Sequence, residues 1–304
     1  MTDSTNNDSG EPPAGDPPEG PEGGAPPTTI DPGRQRPEEA PLTVLDPGRP
    51  ARRRDPRSPS YVSLPPELAA RFRVDKKKLL PGGAQADLYV VLELATGRER
   101  VLKLYPDGWR PDQRIWDYLR SGRRSRYVVE THETGTADGR CFEIMEYLAG
   151  GDLMALRKER TLDELGADGV KEIVRQLADA LDDMHANNIV HRDIKPTNIL
   201  IRSIDRLELA VVDLGISSVV GPGGDLVDDS GTLPYVPPEF IITQWCSPAS
   251  DWWALGVSLI EFITNRRLFE GLDDEVAMKR RLTRGPISVS TITDLRLRLL
   301  VQGL

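Results

Sequence analysis

Cysteine is nearly absent from this chain of 304 residues. Cys141 and Cys246 are the only two, and they lie far apart. That is too few and too distant for a disulfide scaffold or a zinc site. The three histidines, His132, His185 and His191, show no ligand spacing, so no metal site built from protein side chains alone is expected. An excess of basic residues is also lacking. With 48 acids against 39 Lys and Arg the formal charge is -9, which argues against a nucleic-acid partner. No apolar run is long enough to span a bilayer. The N-terminus, rich in Asp, Asn and Gly, lacks the basic-then-apolar order of a secretion signal. Together these absences give the expectation of a cytoplasmic protein with no membrane segment.

Composition then divides the chain. Residues 1–62 are dominated by Pro, Gly, acids and small polar residues, which cannot bury enough apolar area to offset chain entropy, so this stretch is expected to be a disordered tail. Its end carries Arg49, Arg52, Arg53, Arg54 and Arg57, read as a solvated basic linker. With 304 residues the chain can hold one large domain or two lobes with buried cores.

The densest chemistry lies in His191-Arg192-Asp193-Ile194-Lys195-Pro196-Thr197-Asn198, which sets an acid, an ammonium and an amide on one loop between apolar segments. Asp193 can accept or orient the proton of an attacking hydroxyl, Lys195 can offset charge on a phosphate in transfer, and Asn198 can offer a neutral oxygen to a hard cation. Further on, Val211-Val212-Asp213-Leu214-Gly215 places a second carboxylate at a strand end. Each of these residues alone is an ordinary loop residue; their order carries the argument.

The surrounding elements follow from periodicity. Val170, Ile173, Val174, Leu177, Leu181 and Met184 recur at helical spacing before the loop. Strand-like runs fall at 78–80, 88–92 and 101–104, with a Thr96-Gly97 turn. Residues 127–130 and 141–145 read as a hairpin about Asp138-Gly139. Residues 111–119 read as a helix. Ser247-Pro248 opens another, apolar nearly all round from Asp251 to Ile263 and therefore buried.

The stretch His191–Asn198 matches the H-R-D-x-K-x-x-N loop of protein kinases, and Asp213-Leu214-Gly215 resembles their D-F-G with Leu for Phe. Gly231–Glu239 is similar to the G-T-x-x-Y-x-x-P-E end of an activation segment, with Pro237 for Ala, and the run from Asp251 to Gly256 is similar to D-x-W-x-x-G. The resemblance is to bacterial (eukaryotic-like) serine/threonine kinases. It implies an α+β, two-lobed fold with a small β-rich lobe over about 63–146 and a larger helical lobe over about 147–304.

It also implies transfer of the γ-phosphoryl of ATP to Ser or Thr of protein substrates, with Mg²⁺ (or Mn²⁺) as cofactor. Asp193, Lys195 and Thr232 fall at catalytic positions, and Asn198 and Asp213 at metal positions. Lys103 falls at the ATP lysine, Gly82 and Gly83 in the phosphate loop, and Leu88, Met145, Glu146, Leu148, Asp152 and Leu200 around the nucleotide. His191 packs and Asp251 supports the loop. Arg192 implies control by a phosphate docked on its guanidinium.

The departures from the family are specific. Only Gly83 of the three loop glycines is kept, with Pro81 and Ala86 at the other positions. Kinases supply a glutamate to the lysine from the next helix, whereas the acids of 111–119 are Asp112 and Asp117 alone. Kinases continue through further helices and offer an arginine to the Glu of P-E, and nothing past Leu304 can do so for Glu239, so the lower lobe is expected to be shortened, or the chain to be a fragment. These features make a nucleotide-binding pseudokinase the alternative, opposed by the presence of Lys103, Asp193, Asn198 and Asp213. A small-molecule kinase is opposed by Lys195 and by the Thr232–Glu239 segment. In the tail, Thr28–Arg34 and Thr43–Arg49 share T-x-x-D-P-G-R, which looks like the phosphothreonine ligand of a forkhead-associated domain reading Thr28 or Thr43.

Overall fold

Alternation along three strands decides which side chains meet in the cleft. In β3 (Glu99–Leu104) Leu102 and Leu104 are fully buried, and Lys103 points to the opposite face. Its neighbours are β2 (Asp87–Glu93) and β5 (Arg140–Glu146), and the outer strands are β1 (Phe72–Leu79) and β4 (Thr131–Ala137). All pair antiparallel in the order β1-β2-β3-β5-β4, after a one-turn helix α1 (Pro66–Ala69). Tyr89, Val91, Leu102, Leu104, Phe142 and Ile144 form the core on one face with Leu68 and Phe72. The register places Leu88 opposite Lys103, Lys103 opposite Glu143, and Val101 opposite Met145, so these five side chains share the other face. In this computed structural model the described residues are 64–80, 86–272 and 274–303, all within one compact unit. The expected tail, the threonine repeats and the loop glycines Gly82 and Gly83 lie outside them.

The strand expected over Tyr127–Glu130 falls elsewhere. Tyr127 and Val129 bond to Val211 of the second lobe, through Val129 N–H to the Val211 carbonyl at 2.9 Å and Val211 N–H to the Tyr127 carbonyl at 2.8 Å. The apolar character of this run comes from that packing. The hairpin strand is instead β4, an edge strand of mostly polar sequence with three threonines, joined to β5 through Asp138 and Gly139, both at positive φ.

Helix α2 (Gln113–Arg120) starts at Asp112, whose side chain accepts the Arg114 N–H, and buries Ile115, Trp116, Tyr118 and Leu119. The second lobe runs α3 (Leu153–Glu159), α4 (Leu162–Ala186), β6 (Ile189–Val190), β7 (Ile199–Ser203), β8 (Glu208–Val211), β9 (Ser218–Val219), β10 (Asp225–Leu226), α5 (Pro238–Thr243), β11 (Trp245–Cys246), α6 (Pro248–Thr264), α7 (Glu275–Thr283) and α8 (Leu295–Gln302). Thr161 and Glu164 form a capping box at the start of α4, whose predicted stripe from Val170 to Met184 is buried. Ser247 and Ser250 cap α6 in the same way, and α6 is buried on most sides against α4 and α8. No helix among the described residues is long and apolar enough to cross a membrane.

Candidate active site

The loop between β6 and β7 is held from below by one buried carboxylate. Asp251, on the first turn of α6, is fully buried and accepts the His191 N–H at 2.8 Å, the Arg192 N–H at 2.9 Å and His185 Nε2 at 2.8 Å. These bonds fix Arg192 in the left-handed region at φ 69°. His191 Nε2 lies 3.0 Å from the Val212 carbonyl, which only accepts, and its Nδ1 receives the Asp193 N–H at 3.2 Å. Both ring nitrogens are therefore committed to backbone, consistent with the expected packing role.

Above this support four polar side chains close on one another. Asp193 Oδ1 accepts the Thr232 hydroxyl at 2.6 Å, and Oδ2 accepts Lys195 Nζ at 2.7 Å and Asn198 Nδ2 at 2.9 Å. Lys195 Nζ also donates to Thr232 Oγ1 at 2.8 Å. The Asn198 amide nitrogen bonds the Asp193 carbonyl as well, so Oδ1 is the oxygen this amide can offer to a ligand.

Lys103 is 3% exposed, and its ammonium donates to Asp213 Oδ1 at 2.6 Å. Burial works against that charge, but the charges of Asp213 and Glu143 outweigh it, so the ammonium is held above the ordinary lysine range. The Asp213 carboxyl is likewise pushed up by burial, yet Lys103 brings it below the ordinary carboxylate range. Asp213 lies at φ 68°, a second left-handed residue beside the site.

The acids of α2 do not take part. Asp112 caps its helix and pairs with Arg114, and Asp117 pairs with Arg120 at the surface. The second acid near Lys103 is Glu143 of β5, which sequence reasoning missed. Its signal was one charged residue inside the apolar run Cys141–Met145, in register with Lys103.

The residues expected around the nucleotide are distributed as follows. Leu88 and Met145 share the Lys103 face. Glu146 is bound by Arg202 at 2.6 and 3.1 Å and its backbone N–H bonds the Glu130 carbonyl, so its side chain is structural. Leu148 follows β5 at intermediate burial. Asp152 caps α3 through the Ala155 N–H and bridges to Leu200 on β7.

The phosphate dock expected at Arg192 is filled by the chain itself. Its guanidinium donates to Asp228 Oδ1 at 2.6 Å, to Ser218 Oγ, and to the carbonyls of Ile216, Asp228 and Ser230. Asp228 therefore supplies the negative charge that a phosphate was expected to bring. Glu239 lies exposed on the first turn of α5, where a carboxylate favours the helix dipole and has no burial penalty that an arginine must offset.

A sheet-bearing lobe whose buried lysine meets an Asp-Leu-Gly turn, across from an Asp-Lys-Asn loop, defines the two-lobed kinase class of fold. The protein kinase domain model matches residues 83–297, and the chain belongs to that family. Among similar proteins, human ribosomal protein S6 kinase alpha-6 is 34% identical over 154 residues, which is 50% of this chain and 20% of that protein. Human ribosomal protein S6 kinase alpha-1 and chicken ribosomal protein S6 kinase 2 alpha are each 33% identical over the same share. The chain thus covers about a fifth of these relatives.

Proposed function

We propose that the chain is a protein serine/threonine kinase, using ATP and a divalent cation, Mg²⁺ first, to phosphorylate Ser or Thr hydroxyls of proteins, its own included. The closed contact of Asp193, Lys195 and Thr232 carries the reading: a carboxylate, an ammonium and a hydroxyl stand where an incoming hydroxyl would be oriented. Asp193 would hold the hydroxyl proton through Oδ1 or Oδ2, and Lys195 would offset charge on the transferring phosphate. Thr232, donating to Asp193, ties the end of the activation segment to the loop and places a polypeptide acceptor.

The donor set fits a hard cation. Asn198 has its nitrogen committed to Asp193, and the bonds Asp213 receives from Lys103 and Gly215 both fall on Oδ1. Asn198 and Asp213 would hold the ion, and Lys103 the α/β-phosphates. The nucleotide and its cation supply the phosphoryl group and much of its charge neutralisation. Leu88, Met145, Leu148 and Leu200 would flank the base, Gly82 and Gly83 the phosphates, and Asp152 the ribose side.

A bacterial setting, a cytoplasmic location and recognition of phosphorylated Thr28 or Thr43 by a forkhead-associated domain belong to the same proposal. They rest on composition and on the tail repeat. The test is incubation with labelled ATP and Mg²⁺, offering protein and small-molecule acceptors side by side, with phosphosites mapped by mass spectrometry. Label on protein Ser or Thr is expected. Label on small molecules alone, or nucleotide binding with no transfer, would overturn the reading.

A further inference from the structure

Lys103 and Glu143 are direct cross-strand partners between β3 and β5, so their side chains leave the sheet on the same face. Directly opposite residues in an antiparallel pair have Cβ atoms about 4.5–5.5 Å apart, within reach of an ion pair for side chains of this length. Glu143 is 6% exposed, and a carboxylate this buried needs donors. It has two on one oxygen: the Tyr105 hydroxyl at 2.7 Å and Trp116 Nε1 at 2.9 Å, both onto Oε1. Tyr105 is itself clamped, its ring stacked on Trp109 at 3.7 Å and 4°. The Lys103 ammonium lies 4.8 Å over the Tyr105 ring. Trp116 is the residue that α2 sends into this cluster, while both acids of that helix are engaged at its surface.

From this arrangement we infer that Glu143 is the positioning acid of Lys103, built into the sheet instead of carried by the neighbouring helix. The inference rests on the kinase reading for its purpose. When Asp213 engages a cation, Glu143 is the acid left facing the buried ammonium and holds it toward the phosphates. Because lysine and acid belong to adjacent strands of one sheet, their backbone register is set by the sheet and not by α2. Helix α2 then acts as a brace, giving a neutral indole donor where the family gives a charge.

The test is a double-mutant cycle in the full chain carrying Asp213→Asn, with Lys103→Met, Glu143→Gln and both, read by melting temperature. It is paired with Mg-ATP affinity and KM for ATP in the otherwise wild-type chain. Glu143→Gln keeps the shape and an acceptor for Trp116 and Tyr105, and removes the charge. It is expected to lower the melting temperature by about 3 °C or more with Lys103 present and hardly at all with Met in its place. In the wild-type background it should weaken Mg-ATP binding and raise KM about tenfold with a smaller change in kcat, and Glu143→Asp should restore part of the loss. Equal effects of Glu143→Gln with and without Lys103 would overturn the inference. Coupling in the cycle without phosphate transfer by the wild-type chain would uphold the pairing and defeat the kinase reading instead.

Discussion

Asp251 shows how one side chain carries a loop. It is fully buried and serves three donors, two of them backbone N–H groups of His191 and Arg192. Asp251→Ala leaves those groups without an acceptor, at about 1–3 kcal/mol each, and releases a residue held at positive φ. Urea unfolding should show the loss of stability, and transfer activity should fall further than stability alone explains. The grouping of Asp193, Lys195 and Asn198 on one loop, with Asp213 at a strand end after it, was legible because their order is itself a chemical pattern. Glu143, Arg202 and Asp228 were not, since each acts through a partner distant in sequence: Lys103, Glu146 and Arg192. Register and loop path decide such pairs, and neither is written in local sequence.

At the scale of elements, Arg192 to Asp228 and Thr232 to Asp193 are two of the side-chain contacts that hold the segment from Asp213 to Glu239, beside the pairing of β9 with β6 and of β10 with β11. Asp228 is 53% exposed, and the buried Arg192 guanidinium keeps the Ser218 hydroxyl and the carbonyls of Ile216, Asp228 and Ser230 without the carboxylate, so the ion pair adds little global stability. Asp228→Asn should leave the melting temperature nearly unchanged and raise hydrogen exchange across residues 217–231; unchanged exchange there would count against the anchor. The contrast is α6, where Phe262 is fully buried: Phe262→Ala should cost about 3–5 kcal/mol by denaturant unfolding. Helices α4 and α6 were legible from apolar spacing and caps. The strand placed at Tyr127–Glu130 was not, because burial against Val211 gives the same apolar run as a sheet strand, while the true edge strand β4 is polar.

For the molecule as a whole, the ion pair of Lys103 and Asp213 joins the sheet lobe to the turn after β8 and sets a pH window. Asp213, lowered from 3.8, stabilises fully above the ordinary carboxylate range, and that contribution is lost as pH falls through its lowered value. Lys103, raised from 10.5, contributes fully below that value and loses it as pH rises through the raised one. Melting curves of the wild type and Lys103→Met should therefore differ by a constant margin over roughly pH 5–9 and converge only as pH falls through the lowered Asp213 value or rises through the raised Lys103 value. The two-lobed plan was legible through the family resemblance that the motifs carry, whereas the source of the lysine's second acid depended on sheet register.

In the proposed kinase, chemistry resides in the Asp193 loop while nucleotide binding resides largely elsewhere. The most direct measurement compares wild type and Asp193→Asn for Mg-ATP affinity by calorimetry and for phosphate transfer to protein on the same samples. Affinity within a few-fold and transfer reduced about 10²–10⁴-fold is the expected result. Near-wild-type transfer by Asp193→Asn would place the chemistry outside this loop.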